Sequence, residues 1–180
     1  GVISYRQMKD RPSVSLWSDI VAALRGELGG ITGAAHPGVF IAFEGGEGAG
    51  KTTQTQLLKE FLESIGEKVV LTREPGGTVL GQTLRKILLD KKQTEISDRA
   101  EALLYASDRA QHVETFVKPA LLNGEIVITD RYVDSSIAYQ GGGRTLAPSE
   151  IARISRWATE NLMPNLTVVM DLPAEVGLGR

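Results

Sequence analysis

Four short stretches carry their apolar residues in unbroken runs: Val39–Phe43, Lys68–Thr72, Glu125–Thr129 and Leu166–Asp171. Strands with no alternating polar face belong to a parallel sheet covered on both sides. Between them the apolar spacing changes to three and four. Thr53–Ser64 carries Leu57, Leu58, Phe61 and Leu62, with Ile65 just beyond. Thr78–Asp90 carries Leu80, Leu84, Ile87 and Leu88. Ser97–Leu122 is the longest helical stretch, and Pro148–Leu162 is another. Asp98, with Glu101 three residues on, is the expected cap of the long helix. Pro119 is expected to kink or end it, and Pro148 suits a first turn. Val133–Gln140 reads as a short helix stopped by Gly141-Gly142-Gly143. Strands alternating with helices predict an α/β fold, a parallel sheet with helices on both faces.

Upstream, Ser13–Leu28 places Leu16, Trp17, Ile20, Val21, Leu24 and Leu28 at helical spacing. Gly29-Gly30 closes it, and Gly33–Gly38 reads as a linker. This amphipathic helix either packs on its own or another domain, or serves as a membrane-surface or partner-binding element. The expected division is an extension at residues 1–38 and a domain at 39–180. The chain starts without Met and stops inside a helical pattern at Gly177-Leu178-Gly179-Arg180, so a fragment of something longer is expected.

The first strand runs into Gly45-Gly46-Glu47-Gly48-Ala49-Gly50-Lys51-Thr52-Thr53. This fits G-x-x-x-x-G-K-[ST] between a strand and a helix, the context that a phosphate-binding loop requires. Glycines let successive backbone N–H groups turn inward around an anion, and the helix N-terminus adds its positive end. Lys51 supplies a mobile positive charge for outer phosphates, and the Thr52 hydroxyl can ligand Mg²⁺. The fold class thereby narrows to a P-loop NTPase-type sheet.

Composition adds boundaries. The 180 residues are 42% hydrophobic and 23% charged, ordinary for one globular domain. Twenty Lys and Arg against 22 Asp and Glu leave a formal net charge of −2, so no nucleic-acid surface is indicated. Positive charge for a nucleotide must be concentrated locally. Cysteine is absent, which removes disulfides and thiolate metal sites and fits a reducing compartment. With no apolar run near a membrane span and no signal peptide in view, a cytoplasmic protein is expected. His36 and His112 are isolated and receive no chemistry.

The remaining chemistry gathers at strand ends. The second strand ends in Arg73-Glu74-Pro75-Gly76-Gly77-Thr78, a sharp loop where open parallel sheets bind ligands. The third ends in Asp130-Arg131-Tyr132. Asp130 is placed to orient Mg²⁺ or its waters, and Arg131 can clamp phosphate with two N–H donors. Arg85 is either solvated or functional. Tyr105 and Arg109, four apart on one helix face, read either as a core aromatic and an exposed partner of an acid, or as ligand groups. Ser135, Ser136, Tyr139 and Gln140 form an inventory suited to reading a base and sugar edge-on. Hydrolysis needs a positioned water, whereas transfer to a second nucleotide needs a second anion site. Arg73, Arg85, Arg109 and Arg131 could build one, which favours a nucleotide kinase.

At this point the chain resembles bacterial thymidylate kinase (dTMP kinase). The resemblance rests on Phe43-Glu44-Gly45-x-Glu47-Gly48-Ala49-Gly50-Lys51-Thr52-Thr53-Gln54, Thr72-Arg73-Glu74-Pro75-Gly76-Gly77-Thr78, Leu104-Tyr105-Ala106-Ser107-Asp108-Arg109-Ala110-Gln111-His112 and Asp130-Arg131-Tyr132-Val133-Asp134-Ser135-Ser136-x-Ala138-Tyr139-Gln140-Gly141. It implies ATP as co-substrate on the loop Gly45–Thr53, a magnesium ion (Mg²⁺) at Thr52 and Asp130, and dTMP as acceptor. By the same resemblance Tyr105 stacks on thymine while Arg109, Ser136 and Gln140 read its edge. Arg85 and Arg131 clamp the dTMP phosphate with Arg73 nearby, in the loop that also holds Glu74 and Pro75. Tyr139 disfavours a ribose 2′-OH. Glu47 matches a carboxylate near the acceptor sugar and phosphate. Lys51, Arg131 and Glu47 are the implied catalytic set, and a cis bond before Pro75 is implied too.

Relatives with glycine at the position of Gly48 use basic residues of a mobile lid that follows the fourth strand. The lid and the last strand are expected beyond Arg180, so these residues alone are expected to transfer phosphate poorly. A homodimer and an upstream membrane-associated segment are further expectations from resemblance. The competing readings are a kinase for another nucleoside monophosphate or a deoxynucleoside, and a nucleotide-binding module that transfers nothing.

Overall fold

The computed structural model describes residues 2–4, 38–90, 92, 95–133 and 145–170. The expected helix Ser13–Leu28, the linker after it as far as residue 37, the site residues Ser136, Tyr139 and Gln140, and the last expected helix lie outside them. Two compact units emerge: Gly1–Thr72 with Pro119–Asp130 and Pro164–Arg180, and Arg73–Lys118 with Arg131–Met163.

The first unit is a sheet of β1 (Val2–Ser4), β2 (Val39–Gly45), β3 (Val69–Arg73, its last residue falling in the second unit), β4 (Ile126–Asp130) and β5 (Leu166–Met170). The order is β1-β5-β2-β4-β3. β2 runs parallel to β4 from Val39↔Ile126 to Phe43↔Asp130, and parallel to β5 from Ile41↔Leu166 to Gly45↔Met170. Asn165 pins that second pairing. Its side-chain oxygen accepts the Phe40 N–H at 2.8 Å and its own N–H reaches Phe40 O at 2.8 Å.

Successive β2 residues are buried on opposite sides, Phe40 and Ala42 as completely as Val39, Ile41 and Phe43. That is why the run reads as unbroken. One side packs with Ile126, Ile128, Leu166, Val168 and Met170 against Leu58 and Leu62 of α1 (Lys51–Ser64). Leu57 and Ile65, part of the same apolar spacing, stay exposed.

The fifth strand, β1, was not legible. Three residues show no period. What makes a strand there is the second edge of β5, whose backbone groups pair in parallel with Val2–Ser4.

In the second unit, α2 (Val79–Leu89) is capped by Thr78, whose hydroxyl accepts the Gly81 N–H at 2.9 Å. α3 (Asp98–His112) is capped by Ser97, not Asp98: Ser97 accepts the Ala100 N–H at 3.3 Å. Asp98 is instead the first helical residue, and its carboxylate takes the Thr145 N–H and hydroxyl at 3.1 and 2.7 Å. Aspartate there also suits the positive helix end.

The helix widens into a π turn, Val113–Val117, where the Lys118 N–H reaches Val113 O, before α4 (Lys118–Leu122). Pro119 explains it: proline offers no N–H and its ring would crowd the carbonyl four residues back. The expected kink is thus a change of helical pitch. α5 (Pro148–Thr159) starts at its proline as expected and packs on α3 through Ala102, Leu146 and Ile151. Among the described residues no helix is long and apolar enough to cross a membrane.

Ile41→Ala in the central strand should lower unfolding free energy by about 2–5 kcal/mol, whereas Leu57→Ala on the exposed side of α1 should stay within about 0.5 kcal/mol. Urea unfolding of the two variants beside the wild type reads the difference.

Candidate functional site

In the first unit, β2 delivers the chain into the glycine loop at Gly45, with φ of 146°. A Cβ there would lie 2.7 Å from Met170 O, so only glycine passes the end of β5. Gly48 and Gly50 follow in the left-handed region, with φ of 74° and 85°. Gly50 is the cap of α1, and no side chain occupies the helix end. An uncapped helix N-terminus following a glycine loop is an anion site.

Lys51, the first residue of α1, is nearly buried. Its Nζ donates to Gly45 O at 3.0 Å and Gly46 O at 3.1 Å, and lies 3.9 Å from Asp130 Oδ1. The register Phe43↔Asp130 puts that carboxylate level with the end of β2. Glu47, Thr52 and Thr53 are exposed. One hydroxyl and one carboxylate suit Mg²⁺, which keeps waters and takes the rest of its oxygens from phosphate. Among the described residues no group of three or more His, Cys, Asp or Glu forms a ready-made metal cage.

In the second unit, the loop after β3 lies against one face of α3. Glu74–Pro75 is cis. Glu74 is 2% exposed and gives each carboxylate oxygen a partner: Arg109 Nε donates to Oε1 at 2.6 Å and His112 Nδ1 meets Oε2 at 2.7 Å. Burial pushes the Glu74 carboxyl up, but the Arg109 charge and the His112 hydrogen bond outweigh it and hold the group below the usual 4.5.

Arg109 is therefore a partner of an acid, as one sequence reading had it, but a buried one, 3% exposed. It also donates to Ser155 Oγ at 3.2 Å and Tyr132 O at 3.0 Å, and its guanidinium lies 5.4 Å from the Tyr132 ring centroid. Tyr132 is itself buried and donates its hydroxyl to Leu162 O at 2.8 Å. Burial pushes its phenol far above the ordinary range.

Asp108, next on the same helix, is 1% exposed and accepts the Gly76 N–H at 3.0 Å. A Cβ on Gly81 would run into it. Burial raises its pKa, and the nearby Glu74 charge adds to the rise.

The other expected acceptor-site residues gather around this core. Arg85 Nη1 donates to Pro75 O at 2.8 Å, and the bare Cα face of Gly76 lies against both Arg85 and Arg73. Tyr105 is half-buried. Burial and Glu101 raise its pKa while the Arg131 and Arg85 charges pull it back, so both guanidiniums lie within electrostatic reach of its ring. Arg131 has φ of 71°, a left-handed backbone immediately after β4. Such a conformation in a non-glycine residue costs roughly 1–3 kcal/mol and gathers at functional sites.

The structure thus brings Arg73, Glu74, Pro75, Arg85, Tyr105, Arg109 and Arg131 together in one unit, and Gly45–Thr53 with Asp130 in the other. His112, Asp108, Ser155 and Tyr132 were missed as members of the buried network. The signal available was positional: 105, 108, 109 and 112 share one helix face.

Titration has opposite signs for the two buried acids. Glu74 is lowered, so its stabilisation is full above 4.5 and drains as pH falls through the folded value. Asp108 is raised, so its contribution is full below 3.8 and is lost as pH rises through the folded value. Glu74→Gln should cost about 3–5 kcal/mol at neutral pH, by stranding buried charge, and the gap to wild type should narrow in acid. Asp108→Asn should gain on wild type as pH rises from acid to neutral. Urea unfolding at a series of pH values checks both.

Comparison with known proteins identifies the family. A family model described as thymidylate kinase matches residues 43–180. The thymidylate kinase of Bifidobacterium longum subsp. infantis is 56% identical over 138 residues, covering 75% of this chain and 59% of its own length. That of Clavibacter sepedonicus is 58% identical over 135 residues, covering 75% and 64%. The chain thus spans less than two thirds of either relative. The crystal structure of thymidylate kinase from Ehrlichia chaffeensis matches with a TM-score of 0.69 at 40% identity, covering 74% of this chain and 75% of that one. A glycine loop with its lysine, a loop–helix pair rich in arginine, and relatives of this closeness lead to one conclusion: the chain belongs to the thymidylate kinase family.

Proposed function

We propose that this chain carries the core of an ATP-dependent dTMP kinase, which moves the γ-phosphoryl group of ATP onto dTMP to give dTDP. The observation that carries the reading is that Arg85 and Arg73 close on the Pro75–Gly76 turn while the charges of Arg85 and Arg131 both act on the half-buried Tyr105. A nucleotide switch that only binds and hydrolyses has no use for a second arginine set with an aromatic in it.

The roles follow from charge. Gly45–Thr53 holds the triphosphate of ATP, with Lys51 drawn from its loop carbonyls to the outer phosphates. Thr52 and Asp130 would hold Mg²⁺, which would supply positive charge to the phosphates. Tyr105 stacks on thymine, with Arg109, Ser136 and Gln140 at its edge and Tyr139 against a 2′-hydroxyl. Arg85 and Arg131, with Arg73, hold the acceptor phosphate. Glu47 lies by the acceptor sugar. The second pKa of a phosphomonoester is about 6, so the acceptor oxygen is already anionic at neutral pH and no general base is needed. What the protein must do is offset the repulsion of two polyanions and stabilise the charge spread in the transferring group.

Residues 39–180 as one kinase domain, a cytoplasmic site of action and a homodimer belong to the same reading, supported by resemblance to the family.

Calorimetric titration tests it. Arg131→Ala should weaken dTMP by about 1.5–3 kcal/mol and leave ATP nearly unchanged; Lys51→Ala should do the reverse. Arg109→Ala is a poor probe, because it strands a buried carboxylate and tests stability first. ATP binding without dTMP binding would point to a module that transfers nothing. Stronger binding of dUMP, dCMP or thymidine would reassign the acceptor.

A further inference from the structure

His112 is 0% exposed, and the proposed reaction assigns it nothing. Its surroundings hold the ring in one orientation. One side stacks on Phe116, with centroids 5.6 Å apart and planes 28° from parallel. Against it lies Gly77, where a Cβ would come within 2.6 Å of both Cδ2 and Nε2. The ring therefore sits where only a glycine backbone leaves room. Its Nδ1 is 2.7 Å from Glu74 Oε2, and the other oxygen of that carboxylate receives Arg109 Nε at 2.6 Å. Glu74 is kept ionised by these neighbours, so it offers acceptors only. The hydrogen between Glu74 and His112 must then be carried by Nδ1.

We propose that His112 is a positioning residue for the acceptor site: by donating from Nδ1 to Glu74 Oε2, it turns the carboxylate so that Oε1 holds the Arg109 guanidinium in the plane that meets the base. A carboxylate with a partner on only one oxygen can rotate about its last torsion, because that torsion is broad. With both oxygens engaged it cannot. The guanidinium inherits that orientation through its Nε, and Ser155 and Tyr132 O complete the hold. His112 touches no substrate in this scheme. The functional half of the inference rests on the dTMP reading; the hold on Arg109 does not.

Three variants separate positioning from packing. His112→Phe keeps a ring against Phe116 and removes the donor. His112→Asn puts an amide nitrogen where Nδ1 stood. His112→Gln puts one nearer Nε2. Two quantities are read in the protein: affinities for dTMP and ATP by calorimetry, and hydrogen exchange of the Arg109 Nε–H by NMR without any ligand. The expected result is dTMP affinity about tenfold weaker in His112→Phe and His112→Gln, within about threefold of wild type in His112→Asn, and ATP affinity within about twofold throughout. The Arg109 Nε–H should exchange slowly in wild type and His112→Asn and quickly in the other two. Wild-type affinity and slow exchange in His112→Phe would overturn the proposal. So would His112→Asn failing with the others, by unfolding or by affinity, or ATP weakening in parallel with dTMP. Should wild type bind ATP but no dTMP, the kinase reading falls, while the exchange data still decide whether His112 holds Arg109.

Discussion

A carboxylate taken almost wholly out of water must find its partners inside the protein, and that demand from Glu74 organises the second unit. An ionised acid buried alone would cost several kcal/mol. Arg109 and His112 meet it from one helix, one on each oxygen. The same face of α3 supplies Asp108 to the Gly76 N–H, so three side chains fasten a single loop. α2 contributes from its own side through Arg85 to Pro75 O. Once the loop is fastened, Arg73, Arg85 and Tyr105 have a fixed frame, and a set of positive charges can be held close without a flexible backbone absorbing their repulsion.

The first unit meets a different demand by different means. There the backbone itself must approach an anion, so side chains are removed rather than added. Gly45 clears the end of β5, while Gly48 and Gly50 turn the loop into a helix that begins at its lysine. Lys51 rests on its own loop carbonyls at about the same distance from each, 3.0 and 3.1 Å. Neutral carbonyls bind an ammonium group more weakly than phosphate oxygens do. The lysine is therefore held by contacts weaker than those an anion would offer it.

What the sequence revealed follows from the range of the interactions involved. Strands buried on both faces leave unbroken apolar runs, and β2, β3, β4 and β5 were legible within a residue or two. The glycine loop is local, so its motif carried its own context. Capping was decided by one residue's difference: Ser97 and Asp98 are both good caps, and the contact between Asp98 and Thr145 across 47 positions settled which one served. The π turn follows from Pro119, yet its pitch change does not show in spacing. The network around Glu74 joins residues 35 and 38 positions apart, and no local pattern reports such pairs. His112 looked isolated because its partner was remote.

Arg131 carries a consequence for the history of the chain. Its backbone is held at φ 71°, where a glycine or asparagine would be more at ease. Replacement by glycine would relieve strain in the fold and remove a guanidinium at one stroke. Selection for robustness alone would favour glycine at this position, so the arginine persists only where its guanidinium outweighs the strain. Where the guanidinium is not needed, exchange of this side chain for glycine should come early and leave the fold slightly sturdier.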